Sequence, residues 1–182
     1  MSKYISIPES PLSRFLFSNT VMAPLWLAVR LYVGSTWFLA GLEKIFNPKW
    51  TGEDSGLALA GFVKGALAKT VGEHPDVAGW YADFLQNMVL PNVVVWAHAV
   101  AWGEVAVGLA LMVGLFTGLS AFVGLFMNMN FMLAGALSVN PVLFVLSILL
   151  VLAWRVAGFL GFDYWLLPSL GTPWQPGRMV GK

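Results

Sequence analysis

Long apolar runs broken by short polar links dominate the chain, and the lengths of the runs set the first expectations. Four stretches, residues 25–46, 91–116, 118–138 and 141–161, are each long enough to cross a hydrocarbon core, which takes roughly 20 helical residues. Pro91 and Pro141 stand in first turns, where a missing N–H is harmless. The Leu115-Phe116-Thr117-Gly118 link and the Asn140-Pro141 turn are so short that the last three stretches run antiparallel. The pattern predicts an all-α fold, an integral membrane four-helix antiparallel bundle over residues 25–161. Residues 1–24 and 162–182 are expected to lie as tails along the membrane interface. Pro8, Glu9, Pro11 and Arg14 interrupt the first 17 residues, so an anchored tail is expected there rather than a cleavable signal.

The loop at 47–90 is too long to be a mere connection. Val77, Trp80, Tyr81, Phe84, Leu85 and Met88 recur at helical spacing behind Pro75-Asp76, and Leu59, Phe62, Val63, Ala66 and Leu67 form a weaker stripe behind Asp54-Ser55. Two helices are expected. They form either a cap over the bundle mouth or in the headgroups, or a lid over a site opening at that face.

Composition narrows the class. Apolar residues are 58% and charged residues 10% of the chain, against about 25% charged in an ordinary soluble domain. The mean hydropathy of +0.76 agrees. Ten Lys and Arg in 182 residues and a net charge of +1 cannot line a nucleic-acid groove. The absence of cysteine removes thiolate nucleophiles, Cys-held zinc and cysteine-held iron–sulfur clusters. Neither G-x-G-x-x-G nor G-x-x-x-x-G-K-[ST] occurs. His74 and His98 are the only histidines, and a bis-His haem in the bundle is not expected. No haem, flavin, metal or iron–sulfur cluster is signalled. Lys3, Arg14, Arg178 and Lys182 outnumber Lys49, Lys64 and Lys69 by one, which selects an N-in, C-in orientation.

The sharpest feature is a set of polar residues inside the apolar runs: Arg30, Glu43-Lys44, His98, Glu104, Asn128, Asn130 and Arg155. A lone charge at the bilayer centre costs at least ~2.5–3.5 kcal/mol, so such residues face a partner or a site. Arg30, Gly34, Trp37, Gly41 and Lys44 share one stripe; Ala97, Ala101, Glu104, Gly108 and Leu111 share another; Asn128 falls with Ala121, Gly124 and Gly135. Small residues beside each polar one let helices approach closely. At ~1.5 Å per residue, Arg30 and Arg155 fall at similar depths, so Glu104 is expected to pair with one of them. Two readings stand for these charges: salt bridges that hold register, or a site in which the surplus arginine meets an anion or a carbonyl ligand. His98 is either a hydrogen-bonded core histidine or an acid. Trp26, Trp154 and Trp165 suit one membrane interface and Trp50, Trp80 and Trp96 the other. Trp37 and Trp102 lie deeper, as packing or as the walls of a flat-ring site.

Several motifs, in order, resemble the DoxX/DoxD membrane family. They are Arg30-x3-Gly34-x6-Gly41-x2-Lys44 with Asn47-Pro48-x-Trp50, then Val89-Leu90-Pro91-Asn92 and Gly103-Glu104-x3-Gly108-Leu109-Ala110. Asn128-Met129-Asn130-Phe131-Met132-x-Ala134-Gly135, Ala153-Trp154-Arg155-x-Ala157-Gly158, Gly161-x-Asp163 and Leu166-Leu167-Pro168 follow. The resemblance covers residues 25–168, and the long loop is similar to DoxD rather than to shorter DoxX proteins. It implies a membrane subunit of a thiosulfate:quinone oxidoreductase in the plasma membrane of a prokaryote. That activity joins two thiosulfates into tetrathionate and passes two electrons to membrane quinone. The implied partners are the lipid bilayer, a second redox subunit similar to DoxA or further copies of this chain, and a small sulfur anion.

On this reading Arg30, Trp37, Trp102, Asn128 and Arg155 bind the quinone, Glu104, Arg30 and His98 are the catalytic candidates, and Lys44 and Lys49 neutralise the anion. The rival is a non-catalytic anchor or assembly subunit whose polar core only holds shape. A small transporter is the third class.

Overall fold

The computed structural model describes residues 9–170. Helix α1 (Pro11–Ser18) is capped by the Ser10 hydroxyl, which accepts from the Ser13 N–H at 3.1 Å. It folds back on the next helix. The Trp26 indole donates to the Leu16 carbonyl at 2.7 Å, and the Phe17 ring stacks on Trp26. Trp26 is therefore buried in the packing of α1 on the next helix. A 3-10 turn, Thr20–Met22, leads into α2 (Ala23–Ile45).

Two short helices, α3 (Pro48–Thr51) and α4 (Leu57–Leu67), open the 47–90 segment. α5 (Gly79–Phe84) runs through a π turn, Leu85–Val89, and a 3-10 turn, Leu90–Asn92, into α6 (Val93–Val113). The second expected loop helix is thus the first part of one 35-residue helix, Gly79–Val113, rather than a separate element. After it come α7 (Thr117–Leu133), α8 (Asn140–Leu152), α9 (Trp154–Ala157) and α10 (Asp163–Ser169). The described residues are all-helical, with no strand.

Thr20–Ile45 and Gly79–Val113 are long and apolar enough to cross a membrane. α7 and α8, with 17 and 13 residues, rise only ~25 and ~20 Å, less than the hydrocarbon thickness of about 30 Å. The run expected as one helix over 141–161 breaks at Ala153 (φ −85°, ψ 10°). The short helix that follows stops at Ala157, where Arg30 takes the carbonyls of Ala157 and Leu160. Of the expected tails, residues 1–8 and 171–182 lie outside the described residues, and with them Lys3, Arg178 and Lys182.

α2 packs along α6, α6 against α7, and α7 against α8. The α2–α6 contact is close because glycines face it. A Cβ on Gly108 would fall on the Phe38 backbone nitrogen, and one on Gly41 on the Val105 backbone nitrogen. Two cores result. One, including Val33, Trp37, Leu111 and Leu150, fills the space between the long helices; the other, including Val63, Val77, Tyr81 and Leu85, lies under the 47–90 segment. The segment thus folds as packed structure with a core of its own, joined to α7 by the Tyr81 hydroxyl donating to the Asn130 carbonyl at 2.9 Å.

Candidate functional site

Glycine contacts set the register of α2 and α6: Gly34 faces Gly108, and Gly41 faces Ala101 and Val105. In these antiparallel helices Glu104 therefore stands near residues 38–42 of α2. Arg30 lies at least eight residues away along the axis, roughly 12 Å. The expected pairing of Glu104 with Arg30 or Arg155 is not made. Lys44, one turn beyond Gly41, reaches the carboxylate instead, with Nζ 2.7 Å from Oε2. The same ammonium donates to the Ala40 carbonyl at 3.3 Å and lies 5.3 Å from the Trp50 ring centroid. Glu104 is 1% exposed and Lys44 18%, so the acid is sealed behind its partner and the lysine alone looks outward.

It looks into a cleft of about 270 Å³. Trp37, Ala40 and Lys44 of α2 form one side, with Trp50 of α3 and Phe62 of α4 above them. Phe131 of α7 and Asn140 at the start of α8 form the other side. The Trp37 ring stacks on Phe131, with centroids 6.2 Å apart and planes 28° from parallel. Behind this wall, buried Asn128 donates from Nδ2 to Asn140 Oδ1 at 3.3 Å, and Asn140 donates to the Ala136 carbonyl at 2.7 Å. The Trp37 indole nitrogen and Asn128 Oδ1 are buried without a hydrogen-bond partner. The cleft is therefore an apolar, ring-walled space with one ion pair at its floor. A lysine ammonium carries three donors, and two are engaged here, which leaves one for a ligand oxygen.

Arg30 belongs to a different cluster at the other end of α2. Its Nη1 and Nη2 donate to the carbonyls of Ala157 (3.0 Å) and Leu160 (2.8 Å). Nearby, Asp163 is fully buried and accepts from the backbone N–H groups of Phe116 (2.5 Å) and Thr117 (2.7 Å) at the start of α7. Its charge acts on Arg30. The Phe162 and Asp163 N–H groups in turn donate to the carbonyls of Val113 and Gly114. One short segment thereby ties the ends of α2, α6 and α7 together. Glycines make room for it: a Cβ on Gly114 (φ +73°) or Gly161 would collide with Arg30 Nη1, and one on Gly158 with Asp163. In the sequence Asp163 stands only as part of the Gly161-x-Asp163 motif, with no role assigned. Its signal was a lone carboxylate set among glycines directly after an apolar run.

The remaining candidates do not gather at the cleft. Arg155, expected to face inward, is exposed on α9 and lies over the Trp154 ring at 5.7 Å. Trp102, expected as a deep ring wall, is 56% exposed on the outer face of α6. His98 is half-buried, with Nδ1 2.9 Å from the Val94 carbonyl and 3.4 Å from the Ser55 hydroxyl. Lys49 is exposed on α3. Trp37, Lys44 and Glu104 line the cleft together, with Asn128 one residue behind. Trp50, Phe62, Phe131 and Asn140 complete it, and none of these four was a sequence candidate.

No curated protein and no solved structure matches the chain. Residues 25–141 match the family model described as DoxX. That stretch runs from α2 to the first turn of α8 and carries every cleft residue named above, while Asp163 lies beyond it. The chain belongs to the DoxX family of membrane proteins.

Proposed function

We infer that this protein is the quinone-reactive membrane subunit of a sulfur-oxidising oxidoreductase, built as a four-helix bundle in the plasma membrane. The observation that carries the reading is the Lys44–Glu104 pair at the floor of a ring-walled apolar cleft. A quinone ring needs flat apolar walls, a donor to a carbonyl oxygen and a nearby proton carrier. Trp37, Trp50 and Phe131 supply walls, the free donor of Lys44 suits a carbonyl, and Glu104 is the carboxyl behind it. When bound, quinone accepts two electrons and two protons. Lys44 orients the ring and hands on a proton from its ammonium, and Glu104 holds the lysine in place and neutralises the cation between turnovers. Because the pair is already neutral, Lys44 is a poor site for a dianion, and the sulfur anion is assigned to a partner subunit or to exposed Lys49.

With thiosulfate as donor, two thiosulfates, one quinone and two protons give one tetrathionate and one quinol. The resemblance to DoxD motifs supports that choice of donor. The test is thiosulfate-dependent reduction of a quinone analogue by the protein in lipid nanodiscs, with and without its membrane partners. Tetrathionate and quinol formed in equal amounts, and lost in Lys44→Met and Glu104→Gln with the fold intact, are the expected results. Turnover that is indifferent to both substitutions overturns the assignment. Activity that follows only the amount of folded protein makes the chain an anchor instead.

A further inference from the structure

A second, partly open hollow lies beside the cleft, between α4 and α5 on one side and α6 and α7 on the other. Its volume is about 160 Å³. Val63, Leu85, Val89, Trp96, Val100 and Phe126 line it, and Phe62 and Phe131 border both hollows. Those two rings meet edge to face, with centroids 6.1 Å apart. They form the partition between the two spaces.

The two hollows differ in chemistry. The cleft holds a lysine, a glutamate and an asparagine. The polar side chains bordering the second hollow are Tyr81, Asn130 and the Trp96 indole, and all are engaged. The Tyr81 hydroxyl donates to the Asn130 carbonyl (2.9 Å) and to its Oδ1 (3.2 Å). Asn130 Nδ2 donates to the Phe126 carbonyl at 2.8 Å, and Trp96 Nε1 to the Met88 carbonyl at 3.2 Å. Each of these groups already has a protein partner and the rest of the lining is apolar, so the hollow favours hydrocarbon over water.

We propose that the second hollow holds the ring-proximal stretch of the hydrocarbon tail of the molecule whose ring occupies the cleft, roughly a benzene-sized piece of it, the chain passing by the Phe62–Phe131 border and leaving through the open side of the hollow. The inference rests on the quinone reading and adds the ligand's class: a ring-bearing lipid with a prenyl chain. A polar hollow joined to a dry one through two aromatic side chains matches a polar ring joined to an apolar tail. Each aromatic of the partition comes from a different layer, Phe62 from α4 in the 47–90 segment and Phe131 from α7, so only two side chains separate the two spaces. The segment is then the tail's cover as well as the roof of the cleft.

The test uses the full chain in nanodiscs and two probes, a tailless benzoquinone and its decyl derivative. Affinities are read by quenching of tryptophan fluorescence, and the readout is the ratio of the two. Val100→Trp and Leu85→Trp plug the hollow from α6 and from the π turn, so one misfolded variant still leaves the other to decide. Each plug is expected to lower the decyl-to-tailless ratio by about tenfold, the cost of overpacking a filled site. Comparing variants in the same lipid cancels partition of the tail into the bilayer. A ratio within about twofold of the unsubstituted protein in both folded plugs overturns the tail site. Lys44→Met separates the two readings, because it is expected to weaken both probes together. If it weakens neither while the plugs still act, the hollow holds a chain with no ring in the cleft, such as a phospholipid acyl chain, and the one-molecule proposal falls.

Discussion

Replacing Asp163 by Asn tests how the ends of the long helices are held. The side chain is fully buried, and its two oxygens take the N–H groups of Phe116 and Thr117. Asparagine keeps one acceptor oxygen and turns an NH2 toward the other N–H, so one charge-assisted bond is lost, worth about 1.5–3 kcal/mol. It also removes the negative charge that acts on Arg30, which is itself 1% exposed. Arg30 keeps both carbonyl partners, so the lost hydrogen bond sets the total, about 1.5–3 kcal/mol. SDS titration or steric trapping in mild detergent measures it. Arg30→Met, combined with Asp163→Asn, isolates the charge term as the non-additive part. A loss below about 0.5 kcal/mol, the range of an ordinary surface change, would refute the reasoning, because the α7 N–H groups would then have another acceptor.

Three further outcomes follow from the same geometry. Lys44→Met leaves Glu104 buried and alone and is expected to cost about 3 kcal/mol, while Lys44→Met with Glu104→Leu recovers most of it; the same unfolding titration reads both. Gly108→Ala sets a methyl on the Phe38 backbone and is expected to destabilise by about 1–3 kcal/mol through overpacking. Gly61→Ala, in the interior of α4 with nothing within 4 Å of the new Cβ, is expected to stabilise by about 0.5–1 kcal/mol. Equal effects from the two glycine substitutions would contradict the close α2–α6 approach.

The inward stripes of α2 and α6 were legible in the sequence because small and polar residues repeat there at helical spacing. Gly34, Gly41, Ala97, Ala101, Glu104 and Gly108 are all buried. The charge partners were not legible. Counting depth from the ends of the apolar runs sets Arg30 level with Arg155 and offers either to Glu104, whereas glycine contacts fix the register and bring Lys44 there. Arg30 binds backbone carbonyls, which leave no mark in sequence, and Asp163, whose charge acts on it, follows the last run. Arg155 was misplaced because the helix breaks at Ala153, so a periodicity carried through the break assigns the wrong face. Trp102 was placed deep by position along α6, but it directly follows the buried Ala101 and turns away from it. Asn140 read as turn chemistry, although it both starts α8 and borders the cleft. Phe62 and Phe131 read as ordinary apolar positions until the fold brought their rings together.

Photolabelling by an azido-quinone, in membranes holding the full chain and mapped by peptide mass spectrometry, tests the cleft most directly. The account predicts saturable labelling confined to residues 36–50, 62, 104 and 131–143, displaced by unlabelled quinone and lost in Lys44→Met. Labelling that maps to other helices, or that unlabelled quinone does not displace, would contradict it.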